Sequence, residues 1–86
     1  MDESVQVVDF QPFSAPRFPN VKGVKAYIGK DKNNVLFEVS LNTFEDSLMV
    51  YDNKTNDCVF SCYNASYNKF NEVVNLYLRL ARLQVY

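Results

Sequence analysis

The sequence predicts an α+β domain: an antiparallel meander sheet of four to five strands packed on one C-terminal helix. Three observations lead there. Residues 22–63 alternate apolar and polar side chains in short runs separated by Asn- and Asp-rich turns, the period-2 pattern of half-buried strands. Residues 65–84 contain neither Gly nor Pro and are rich in Leu and Arg, which are good helix formers. The three prolines, at 12, 16 and 19, all fall before this patterned region.

In chain order, Val5–Phe10 reads as a short first strand. Gln11–Asn20 holds the prolines, each of which removes a donor and pushes its predecessor to extended geometry. Residues 1–21 are therefore expected as an extended arm rather than an interior strand, with Phe13 and Phe18 folded back over the core edge. In 22–29, Val24, Ala26 and Ile28 share one face, with Lys25 and Tyr27 opposite. Residues 30–34 form a turn, because Asn and Asp bond their own backbone. Val35–Leu41 is the clearest strand, with Val35, Phe37, Val39 and Leu41 on one side. Ser47–Tyr51 and Asp57–Tyr63 follow, joined by the polar turn 52–56. Asn64 or Ser66 can cap the helix by accepting its first free N–H groups.

With 86 residues the chain makes one domain, and 48% apolar residues suffice for a core without metal or disulfide. No apolar run reaches the ~18–20 residues of a membrane span, and the start, Met1–Ser4, is acidic where a secretory signal would be basic. A cytoplasmic location is expected. Cys58 and Cys62, four residues apart on one strand, would sit ~13 Å apart, beyond disulfide reach. They are expected as small buried apolar side chains, free thiols in a reducing compartment.

There is no histidine, which removes the usual general base, nucleophile partner and metal ligand. Gly23 and Gly29 are isolated, so no phosphate-cradling loop exists. Glu45 and Asp46 are neighbours in a loop, where water keeps carboxylates ordinary. No catalytic residue, metal or cofactor is expected, and the chain reads as a non-enzyme.

The helix carries the sharpest functional signal. At ~100° per residue, its polar residues Asn71, Glu72, Asn75, Arg79 and Arg82 fill one arc, and the apolar arc is nearly twice the ~100° that one sheet needs. Leu76, Leu80 and Leu83 follow i, i+4, i+7 spacing. They form a ridge offset from the Phe70–Val74–Tyr77–Ala81 ridge that faces the sheet. Either the N-terminal arm or another chain must cover those leucines. On the opposite sheet face, Tyr27, Leu36, Val59 and Tyr63 are expected to form a second apolar patch, joined by Met49 and Tyr51 or by Leu48 and Val50.

Charge is segmented: −3 over 1–10, +4 over 17–32, −4 over 38–57 and +2 over the helix, for a net −1. Arg17, Lys22, Lys25 and Lys30, with Tyr27 nearby, could hold single-stranded nucleic acid. Four net charges beside an equally acidic neighbour fall short of a basic footprint, so nucleic acid is the secondary reading. The expectation is a small protein-binding module that self-associates through its helix, as a homodimer or hetero-oligomer. Richness in Asn, Lys, Tyr and Phe suits a viral or phage accessory protein that inhibits a host factor. A subunit of a larger assembly is the third reading.

Overall fold

A computed structural model describes the backbone of residues 4–15, 18–43 and 45–84, with side chains for these except 13–15, 18–22 and 84. Five strands, β1 (Gln6–Ala15), β2 (Phe18–Gly29), β3 (Val35–Asn42), β4 (Ser47–Asp52) and β5 (Asp57–Cys62), precede one helix, α1 (Tyr67–Gln84). The strands lie in the order β1-β2-β3-β4-β5, each antiparallel to its neighbours. Short polar turns force this meander, because adjacent antiparallel strands are the only pairing they can span.

Each turn is held by its own side chains. The Asp31 carboxylate accepts the Asn33 backbone N–H at 2.8 Å and the Asn34 side-chain amide at 2.9 Å. Asp52 accepts the Lys54 N–H at 2.8 Å, and its carbonyl accepts the Asn56 N–H at 2.7 Å. Asp46, Asn56 and Asn64 adopt left-handed backbone (φ 53, 62 and 57), a geometry that Asn and Asp tolerate. Of the two capping candidates, Ser66 starts the helix: its hydroxyl accepts the Lys69 N–H and its carbonyl the Phe70 N–H. The Ala65 N–H donates to the Asp46 carbonyl at 2.8 Å, tying the helix start to the β3–β4 loop.

One sheet face is buried. Ala26, Ile28, Phe37, Val39, Leu41, Leu48 and Val50 meet Phe70, Val73, Val74 and Ala81 of the helix, which rests on β2 and β3. The β4 alternation resolves with Leu48 and Val50 inward and Met49 and Tyr51 on the open face. Val5, just before β1, is wholly buried with this cluster.

The proline-bearing segment is not a connector. Gln11–Ala15 completes β1 and Phe18–Val21 opens β2, giving strands of 10 and 12 residues. Pro12 is compatible because β1 is a sheet edge, where a missing N–H costs no ladder bond when it faces outward. Pro19 lies where β2 has only one neighbour, since β3 pairs with β2 from Gly23 onward. The expected cover by Phe13 and Phe18 concerns side chains outside those described.

Candidate functional site: the open flank of the helix

The helix buries a narrower stripe than its apolar arc. Phe70, Val73, Val74 and Ala81 are buried, and the ring of Tyr77 meets Phe37 edge-to-face at 5.1 Å and 67°. Leu76, Leu80 and Leu83 remain 45%, 37% and 57% exposed.

The chain covers the other flank instead. The Arg82 guanidinium Nε donates to the Val5 carbonyl at 3.0 Å. At ~100° per residue, Arg82 lies about 120° to one side of the buried stripe and Leu76 about 120° to the other. The N-terminal residues around Val5 therefore line the flank away from the leucines.

The leucine flank looks over the β4–β5 side of the sheet. Because the helix rests on β2 and β3, the inward side chains of β5 are incompletely covered. Phe60 and Cys62 are half-buried and pack on the core, while Cys58 is exposed. The thiols are thus not the buried apolar pair that strand alternation suggested, since one helix is too narrow to reach the sheet edge. Burial, and secondarily the nearby Cys58, raises the pKa of Tyr77 above the ordinary 10.0. The result is a step with a leucine wall and a floor of Phe60 and two cysteines. A second helix packed at the usual ~8–10 Å from the first would have to lie on that floor.

The patch expected on the open sheet face is dispersed. Tyr27 stands in β2 opposite Glu38, and burial, then the Glu38 charge and hydrogen bond and the Asp9 charge, raise its pKa. Leu36 falls at the register shift between Ile28↔Phe37 and Gly29↔Val35 and packs on the core; a bulge re-aims the side chain it carries. Val59 (45% exposed) sits at a second shift, on the β5 edge, and Tyr63 (73% exposed) lies beyond the strand end. Polar Glu38 and Tyr51 separate Tyr27 from the β5 edge. The open face is a polar surface, with the Tyr51 hydroxyl donating to the Met49 sulfur at 3.0 Å.

The basic set does not assemble into a stripe. Lys25 shares a shallow cavity with Glu38 and Glu45, and Lys30 follows the far end of β2. Arg17 and the side chain of Lys22 lie outside the described residues. Among the described residues no three His, Cys, Asp or Glu side chains cluster as metal ligands, and no helix is long and apolar enough to cross a membrane. Sequence reasoning missed the burial of Val5 and the exposure of Phe10, which is 55% exposed on the edge strand opposite Ala26. Neither carries a sequence signal, because both depend on where the helix stops covering the sheet.

The geometry defines a small α+β domain with one apolar flank. The chain matches no family model, no curated protein and no solved structure.

Proposed function

We propose that this protein is a non-catalytic protein-binding module whose docking surface is the step between Leu76, Leu80, Leu83 and the inward face of β5. The observation that carries the reading is the exposure of three ridge leucines while the chain's own N-terminal residues line the opposite flank. Contiguous apolar surface rimmed by polar groups marks contact sites. Lys69, Glu72 and Arg79 supply that rim, with Lys69 3.8 Å from Glu72.

Magnitudes set the kind of binding. Burying a whole Leu is worth roughly 1.5–3 kcal/mol, and each of these is about half buried already, so the ridge adds only ~2–4 kcal/mol. Association costs ~4–15 kcal/mol, so a partner must also cover Phe60 and the β5 floor. An amphipathic helix lying beside α1 has the width to do both. Such a module acts by occupying a surface, as a stoichiometric inhibitor or as a subunit of an assembly.

The test pairs the native protein with Leu76→Lys/Leu83→Lys as baits for affinity capture and mass spectrometry. A protein retained by the native bait, lost from the variant and binding 1:1 when purified would support the reading. A variant that folds normally and retains the same partners overturns it.

A further inference from the structure

The sheet has two edges of opposite character. β1 carries guards against pairing: Pro12, the charged Asp9 and a register shift between Val7 and Asp9. β5 carries neither charge nor proline from Cys58 to Cys62, and its one irregularity is the shift at Val59. No strand neighbours its outer side among the described residues. An unguarded edge of aromatic, β-branched and thiol side chains is a template for another strand.

We infer that β5 pairs antiparallel with β5 of a second copy, centred on Phe60, to make one continuous ten-stranded sheet. Two strands related by a two-fold axis pair residues whose numbers have a constant sum. Centring on Phe60 places the axis in the regular part of the strand, beyond the irregular Val59. It sets Phe60 against Phe60, Val59 against Ser61 and Cys58 against Cys62. The strand's one charged residue, Asp57, then faces Tyr63 rather than its own mate, so no like charges meet. Helix α1, resting on β2 and β3, stays about two strand spacings of ~4.8 Å from the junction and leaves it clear.

A six-residue strand spans ~20 Å and buries less than the ~800 Å² per partner of a standard interface. The dimer is therefore weak, forming at tens to hundreds of micromolar. The contact leaves Leu76, Leu80 and Leu83 open, so it stands independently of the proposed docking surface.

The two thiols test the register. Directly opposed residues have Cα atoms ~4.5–5.5 Å apart, within disulfide range, whereas Cys58 and Cys62 of one chain are too far apart to bridge. Full-length Cys58→Ser and Cys62→Ser chains are treated with diamide, which takes two electrons and two protons from a thiol pair and leaves a disulfide. Neither variant alone has a thiol opposite a thiol. An equimolar mixture does, and it should yield a disulfide-linked dimer on non-reducing gels when neither single variant does. Equal cross-linking by the single variants, or none by the mixture, overturns the register.

Sedimentation gives a second reading without thiol chemistry. Val59→Lys/Ser61→Lys sets lysine against lysine twice across the junction and should weaken the dimer about tenfold. Val59→Lys/Ser61→Glu sets opposite charges there and should retain it. A native protein monomeric throughout this concentration range overturns the inference, and leaves the leucine flank to be judged by its own variant.

Discussion

Arg82, in the last turn of the helix, donates its Nε hydrogen to the carbonyl of Val5, 77 positions earlier in the chain, at 3.0 Å. This bond closes the N-terminal residues onto one side of the helix, and Val5 is fully buried beneath it. A cation also suits the negative end of the helix dipole. The same contact determines which apolar flank is covered and which is left open.

Arg82→Met keeps most of the aliphatic stem and loses the donor. A charge-assisted bond of this kind is worth ~1.5–3 kcal/mol, and partial exposure lowers the expected loss to about 1–2 kcal/mol in urea unfolding. Faster amide exchange around Val5 should accompany it. A stability indistinguishable from the native protein would show that burial alone holds Val5.

Gly29 closes β2 where the ladder shifts register, and a Cβ added there would collide with the Asn34 carbonyl oxygen and come within 2.8 Å of the Val35 Cα. Both obstacles are backbone, so the turn must move. Gly29→Ala should cost roughly 1–3 kcal/mol, read from the thermal or urea midpoint. The usual small gain of a Gly→Ala change would contradict this geometry.

Phe37 and Tyr77 join sheet to helix edge-to-face. A double-mutant cycle with Phe37→Leu and Tyr77→Leu should return a coupling of about 0.5–1.5 kcal/mol. Strict additivity of the two losses would mean the rings contribute area only.

Stability should fall at both ends of the pH scale for opposite reasons. Asp31 is held below its ordinary 3.8, chiefly by the Asn34 side-chain bond and then by the Asn33 backbone. Its contribution is present above that ordinary value and lost as pH falls through the folded value. Tyr27 and Tyr77 are raised above 10.0, mainly by burial. Their contribution is present below pH 10 and lost as pH rises through the folded values. Melting temperature against pH should show both limbs. Asp31→Asn should flatten the acid limb, and Tyr27→Phe/Tyr77→Phe the alkaline one. An unchanged profile in either variant would remove that group from the account.

Much of the fold was legible because it is written in short-range pattern. The period change after Tyr63 and the absence of Gly and Pro placed the helix over 65–84, against Tyr67–Gln84 in the structure. Alternation in Val35–Leu41 placed Phe37, Val39 and Leu41 in the core. The β1–β2 hairpin was obscured because proline is a local veto on interior strands, whereas edge position is a global property. Leu36 and Val59 were misplaced for a related reason: each sits at a register shift, and strict alternation knows nothing of bulges. The thiols were expected inside because the helix was pictured over the whole sheet.

What the chain order alone determined is the set of elements, since backbone propensity, turn chemistry and side-chain period all act within a few residues. It also determined that the helix has more apolar surface than one sheet can hide. Which flank stays open was decided only when the helix came to rest on β2 and β3 and Val5 closed beside Arg82. Those contacts join residues nearly a chain length apart, and no local preference records them.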